Sequence, residues 1–263
     1  MPSAPVQRAT QFSETVLRTR GLTRSFARGL ARRNGGTLAL DGIDLDVIRG
    51  DIVGLIGPEG AGKTTLLQCL AGLLKRDAGT VEWFGRVFRG GGCLPGLAYV
   101  PAVPVYYPFL TVRDVLEYRS ARETTGRVPF HVIESALCRL GLAERATAQV
   151  AALSREEMAR LVIAEALSFD PQVIMVDTSA ADEALPFSAI ALDALREHAA
   201  SGATVMIAAR HAHTLVRAAS RVVVLDEGKI VRSFCADADG RQLFDPVFPL
   251  PSSPARFVAE RVH

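Results

Sequence analysis

DIVGLIGPEGAGKTTLLQCLAGLL, residues Asp51–Leu74, decides the fold. Asp51–Ile56 is mostly apolar and β-branched and reads as a buried strand. It runs straight into a glycine-rich turn, and Lys63–Leu74 then reads as a helix with Thr64 and Thr65 in its first turn. GPEGAGKTT, comprising Gly57, Pro58, Glu59, Gly60, Ala61, Gly62, Lys63, Thr64 and Thr65, fits G-x-x-x-x-G-K-[ST] in full. Its glycines let backbone N–H groups turn inward as a nest for anionic oxygens, which a Cβ would obstruct. Lys63 can reach the β- and γ-phosphates of a nucleotide, and the Thr64 hydroxyl can ligate Mg2+. The helix adds the positive end of its dipole. A buried strand before the turn and a helix after it separate this loop from an incidental glycine-rich turn.

Working outward, Val16–Arg20 and Leu38–Val47 show short β-like patterning, joined by a stretch rich in Gly and Arg. Thr80–Phe84 and Arg86–Phe88 flank Gly85 like a hairpin. Between Val112 and Leu167 the apolar period changes to that of a helix. Val112, Val115 and Leu116 share one face, as do Val132, Ile133, Ala136, Leu137 and Leu140, ended by Gly141. Buried-strand character returns at Val173–Val176, Thr204–Ala208 and Val222–Leu225. The helical segment Ala189–Ala200 between the first two predicts a parallel crossover.

With 49% hydrophobic residues the chain can bury a sizeable core, so global disorder is excluded. A net charge of +2, with no block of like charge, gives no reason to expect nucleic acid as a partner. Cys69, Cys93, Cys138 and Cys235 lie far apart, without metal-ligand spacing, and read as reduced thiols. The opening MPSAPVQRATQFSET has no apolar run, so no signal peptide is expected. Residues 90–112 carry no charge, but Pro95, Pro101, Pro104 and Pro108 would each remove a backbone donor and obstruct a spanning helix. This segment reads as a loop, and membrane contact is expected to come through a partner.

From Val16 to Val231 the sequence resembles, in order, the ATPase subunits of ABC transporters. LTRSF at Leu22–Phe26 is similar to the family's adenine-stacking segment, with Phe26 as the aromatic. LALDGIDLDVIRG, leading into the phosphate loop, and RDAGTVEWFG after it follow the family's first-subdomain pattern. YYPFLTVRDVLEY, Tyr106–Tyr118, resembles the segment that grips the transmembrane subunit. PQVIMVD at Pro171–Asp177 resembles the second phosphate-site strand, whose terminal carboxylate holds Mg2+ through water. RVVVLDEGKIV at Arg221–Val231 matches the late strand and turn. LTVRDVLEY followed by RVPFHVIESAL is closest to exporters of the ABC-2 kind.

Four catalytic features of that family are replaced. Where it reads Y-V-P-Q, this chain has Tyr99, Val100, Pro101 and Ala102, and alanine can neither ligate Mg2+ nor position water. Where it reads L-S-G-G-Q, this chain has LSREE at Leu153–Glu157, a register fixed by Asp177 falling 24 residues after Leu153. The resemblance implies that this loop presses on the γ-phosphate held by an opposite subunit. Arg155 and Glu156 bring side chains where glycines allow close approach. A carboxylate ~5 Å from one phosphate charge costs on the order of 3 kcal/mol at an effective dielectric near ~20, and Arg155 offsets part of it. Ser154 and Glu157 also fit a capping box for the helix that follows. After Asp177, where the family places its general base, stands Thr178, whose hydroxyl cannot act as one; Asp182 and Glu183 follow. The switch histidine falls on Arg210, or on His211 if the register slips by one.

The sequence therefore predicts an α/β protein: a P-loop NTPase core with a mixed, largely parallel sheet, an N-terminal antiparallel β subdomain and an inserted α-helical subdomain at about 103–168. Residues 16–235 form the ATP-binding domain, 1–15 a loosely packed or disordered tail, and 236–263 a C-terminal tail. ATP and Mg2+ are the expected cofactors, with Thr64 and Asp177 as the metal residues. A permease near Tyr106–Tyr118 and a second ATP-binding subunit, identical or different, are the expected partners. The expected location is cytoplasmic, peripheral on the inner face of the membrane. Loss of several catalytic groups together implies slow hydrolysis or none. The alternatives are an active ATPase that uses Asp182, Glu183 or His211 in altered geometry, and a soluble P-loop protein without a permease.

Overall fold

The computed structural model describes residues 14–26, 37–90, 92, 94–123, 129–179, 188–210, 215, 218–236 and 242–244. Two sheets organise them. Strands β1 (Thr15–Phe26), β2 (Thr37–Ile48), β4 (Ala78–Trp83) and β5 (Arg86–Val87) form an antiparallel sheet in the order β2-β1-β4-β5. The second sheet runs β11-β10-β9-β3-β8-β7-β6. It comprises β3 (Ile52–Ile56), β6 (Leu97–Val100), β7 (Val173–Asp177), β8 (Thr204–Ala209), β9 (Arg221–Asp226), β10 (Lys229–Ala236) and β11 (Gln242–Phe244). Strands β6, β7, β8, β3 and β9 run parallel to one another, whereas β10 is antiparallel to β9 and β11 to β10. The sheet is thus mixed and largely parallel, as expected.

The parallel strands read as continuous apolar runs because both of their faces are covered. Alternate residues feed two separate cores. Val53, Leu55, Val173, Met175, Met206, Ala208, Val223 and Leu225 face a core shared with α1 (Lys63–Ala71) and the antiparallel sheet. Ile52, Ile174, Val176, Val205, Ile207 and Val222 face a core built with α2 (Val112–Glu123), α3 (Phe130–Arg139), α4 (Arg155–Leu167) and α5 (Ala189–Ala200). The β7–α5–β8 crossover is the predicted one, with Met175 opposite Met206. Between β6 and β7 the chain forms α2, α3, two 3-10 turns at Ala143–Arg145 and Val150–Ala152, and α4.

Several boundaries differ from the sequence reading, each for a local reason. Strand β1 runs 12 residues, well beyond Val16–Arg20, whereas β2 exceeds Leu38–Val47 by one residue at each end. Register shifts between Thr19 and Ser25, beside Gly21 (φ +61°) and Gly42 (φ +68°), interrupt the alternation on which a strand prediction relies. Helix α1 stops at Ala71 because Gly72 takes the left-handed conformation (φ 78°) and its N–H caps the Cys69 carbonyl. The hairpin turn is Phe84–Gly85, both at positive φ, so Phe84 belongs to the turn and Val87 closes β5. The uncharged 90–112 segment is not all loop, since Leu97–Val100 is an edge strand beside β7. The stretch read as a C-terminal tail contributes Gln242–Phe244, paired to β10 through Phe234 and Phe244.

The antiparallel sheet is tied to α1 by Trp83, which is 2% exposed and donates its indole N–H to the Leu70 carbonyl at 3.0 Å. Trp83→Phe keeps most of the apolar contact and strands that carbonyl. It is expected to destabilise the fold by about 1–3 kcal/mol, lowering Tm in far-UV circular dichroism by roughly 3–10 °C.

Candidate functional site

Strand β3 lies between β8 and β9, and its C-terminal end delivers the chain into Gly57–Gly62 and then α1. Two glycines are demanded by packing against neighbouring backbone. A Cβ on Gly57 would lie 2.1 Å from the Leu225 carbonyl oxygen, and one on Gly62 would lie 2.3 Å from that of Ala39. Gly60 has open space around it and serves through its φ of +78°. Besides keeping the anion nest unobstructed, these glycines let the loop be clamped between β2 and β9.

Lys63, the first residue of α1, is only 4% exposed. Its ammonium donates to the carbonyls of Gly57 and Pro58, both at 2.7 Å, which leaves a third proton for another acceptor. Burial lowers its pKa, and the charge of Asp177 partly offsets that. Asp177 ends β7 and is 2% exposed. Its Oδ1 accepts from the Ser179 N–H at 2.9 Å and from the Ser179 hydroxyl at 2.5 Å. The Ser179 hydroxyl in turn lies 2.9 Å from that of Thr64. Asp177 Oδ2 is buried and has no hydrogen-bond partner among the described residues. Burial, reinforced by the Asp177 charge, pushes the Tyr99 phenol up to about 12.

Lys63, Thr64 and Ser179 border a cleft of about 270 Å3, lined also by Ala39, Glu59, Gly60, Gly62 and Thr65. The donor set fits a magnesium-bound polyphosphate. The cleft offers a cation and a helix N-terminus, and Ser179 in its lining is hydrogen-bonded to Asp177, whose second carboxylate oxygen is buried and unpaired among the described residues. Mg2+ is usually bound by one or two carboxylates and completed by phosphate and water.

The structure brings the other predicted residues together only in part. Phe26, at the end of β1, is 41% exposed, pairs with Thr37 two residues from the cleft-lining Ala39, and carries the Arg24 guanidinium 5.0 Å from its ring centroid. Thr178 adjoins Asp177, but its N–H and its hydroxyl both donate to the Ala208 carbonyl at 2.8 Å. Ala102 sits just beyond β6 and is not among the residues lining the cleft. Arg210 follows β8 and pairs with Glu59 of the phosphate loop at 2.5 Å.

The Leu153–Glu157 segment is also outside that lining. Ser154 and Glu157 form the expected capping box at the start of α4. The Ser154 hydroxyl accepts from the Glu157 N–H at 3.2 Å, and the Ser154 N–H donates to Glu157 Oε2 at 2.8 Å. These hydrogen bonds hold the Glu157 carboxyl below its usual range, and Arg145 pairs with it at 2.9 Å. Asp182, Glu183 and His211 lie outside the described residues. Ser179 is the residue that sequence reasoning missed. Its signal was a hydroxyl two positions after a carboxylate at a strand exit, a spacing that favours an Asx-type turn.

Residues 40–181, more than half of the chain, match the family model described as ABC transporter. The chain belongs to that family. Members bind ATP, generally with Mg2+. Among curated relatives, this ABC transporter family chain is 34% identical over 213 residues to the methionine import ATP-binding protein MetN of Rhizobium etli, covering 76% of this chain and 58% of that one. It is 27% identical over 201 residues to the SkfA peptide export ATP-binding protein SkfE of Bacillus subtilis, covering 76% and 83%. The chain thus spans less than two thirds of the length of its MetN relatives. Among solved structures it resembles a nucleotide-free ATP-binding cassette from an ABC transporter, with a TM-score of 0.69 at 22% identity over 84% of this chain and 91% of that one. A dimeric ATP-binding cassette in a post-hydrolysis state, bound to ADP and Pi, gives 0.70 at 20% identity over 82% and 97%. These likenesses show the P-loop NTPase fold with its antiparallel N-terminal sheet.

Glu59 places a negative charge on the loop that meets phosphate, and Arg210 neutralises it. Arg210→Ala is expected to weaken ATP binding roughly three- to tenfold, about 0.7–1.4 kcal/mol. Adding Glu59→Ala to that variant should restore most of the loss in the same calorimetric titration.

Proposed function

We propose that this chain is the ATP-binding subunit of a membrane transporter, and that its own site holds Mg-ATP but hydrolyses it slowly or not at all. The observation that carries the reading is Thr178. It stands at the position next to Asp177 where the resemblance expects a general base, and its hydroxyl proton is committed to the Ala208 carbonyl. A threonine hydroxyl is too weak a base to deprotonate water near neutral pH, and losing a general base typically slows turnover by about 10²–10⁴-fold. Ala102 and the capped LSREE turn point the same way.

Binding groups, by contrast, are kept. Lys63 and the loop amides would hold the phosphates, with Thr64 and Asp177 toward Mg2+. The magnesium ion, when bound, neutralises phosphate charge and orients the terminal phosphoryl group. Phe26 offers an exposed ring for the adenine.

A permease is the proposed partner. Among the described residues no helix is long and apolar enough to cross a membrane. The Tyr106–Tyr118 segment presents Tyr107 and Phe109, 64% and 67% exposed, with their rings stacked 5.5 Å apart. Such an exposed apolar patch suits a protein partner at the membrane. The location that follows is peripheral, on the inner face of the cell membrane. A second ATP-binding subunit, identical or different, would complete the site from across a dimer interface, a reading supported by the absence of the LSREE segment from the lining of this chain's own cleft. The relatives named above include both an import and an export protein, and the ABC-2-like run favours export.

Purified protein is expected to bind ATP, to lose binding in Lys63→Ala, and to release phosphate at the background rate. Thr178→Glu should raise turnover at least about tenfold if the missing base limits the rate. Brisk, Lys63-dependent phosphate release by the wild type would sink the inert reading and favour an active enzyme using Asp182, Glu183 or His211.

A further inference from the structure

We infer that Ser179 is a positioning residue for the magnesium ion, through a hydroxyl relay that sets which atoms of Thr64 and Asp177 face the cation. The inference rests on the reading that this cleft takes Mg-ATP.

The relay follows from counting protons. A carboxylate only accepts hydrogen bonds, so the single proton of the Ser179 hydroxyl goes to Asp177 Oδ1 at 2.5 Å. The Thr64–Ser179 contact at 2.9 Å then has one possible donor, the Thr64 hydroxyl. The chain of bonds is Thr64 to Ser179 to Asp177. It occupies the Thr64 proton and leaves that oxygen's remaining lone-pair capacity for a cation. It also loads Oδ1 of Asp177 and leaves Oδ2, buried and without a partner among the described residues, as the free carboxylate oxygen. An unsatisfied oxygen on a side chain 2% exposed is costly unless something positive completes it.

Ser179 is held for this task by backbone as well as by its side chain. Its N–H donates to Asp177 Oδ1 at 2.9 Å, and the intervening Thr178 is fixed to Ala208 through two hydrogen bonds of 2.8 Å. The residue that replaces the expected base therefore helps to hold the residue that arranges the metal ligands. Without the Ser179 hydroxyl, the Thr64 proton is released toward the space a cation needs, and Asp177 Oδ1 loses one of its two donors. Groups that orient metal ligands in this manner typically contribute about 10–100-fold to metal affinity.

The test is calorimetric titration of ATP into the full chain, with excess Mg2+ and separately with EDTA, for the wild type, Ser179→Ala and Ser179→Thr. The expected result is a Kd for Mg-ATP raised about tenfold in Ser179→Ala, an unchanged Kd in EDTA, and recovery in Ser179→Thr, which keeps the hydroxyl. An unchanged Kd for Mg-ATP in Ser179→Ala overturns the inference, as does an equal loss with and without Mg2+, which marks a merely structural role. Absence of ATP binding by the wild type in both buffers overturns the underlying reading instead. A Tm within a few degrees of wild type checks that each variant is folded.

Discussion

Parallel registration of β3, β8 and β7 is the constraint from which the cleft hangs. Ile56 pairs with Ala209, and Asp177 pairs with Ala208, so three strands end at one level. Their exits deliver the phosphate loop, Arg210 and the Asp177–Ser179 turn to the same end of the sheet. Burial on both faces makes that registration costly to change, because a slip by one residue would send each side chain of a strand into the opposite core. Lys63 and Thr64 come from an element more than 100 residues away in sequence from the one that carries Asp177.

Thr178, Glu157 and Arg210 are integrated into the protein's own hydrogen bonds and ion pairs. Thr178 is committed to Ala208, Glu157 to Ser154 and Arg145, and Arg210 to Glu59. Asp177 is the contrast, since one of its oxygens is buried and has no partner among the described residues. A residue whose polar atoms are satisfied within the chain has little left to offer a ligand, whereas an orphaned oxygen on a buried carboxylate indicates that something else completes it.

What could be read in the sequence was mostly what short-range physics dictates. The GPEGAGKTT loop, the start of α1 at Lys63, the α4 capping box and α5 at Ala189–Ala200 depend on neighbours a few residues away. The apolar runs of β7, β8 and β9 were legible because burial on both faces leaves few polar residues to obscure them. Features set by distant partners were harder to see. Strands β6 and β11 are four and three residues long and exist because β7 and β10 offer them an edge. The full length of β1 was hidden by bulges. Ser179 was hidden because its contact with Thr64 joins positions 115 apart. Within the site, residue identities were available from the start, whereas the direction in which Thr178 and Arg210 spend their hydrogen bonds was not.

Trp83 is the sole tryptophan of the chain and touches the same helix that begins with Lys63. Its indole bonds to the last turn of α1, at the opposite end from the phosphate loop. The protein therefore carries an intrinsic optical gauge, in which a change of indole emission signals that this helix has shifted, tilted or loosened. Occupancy at one end of a nine-residue rod is in this way open to a spectroscopic reading at the other, without a dye and without altering the cleft.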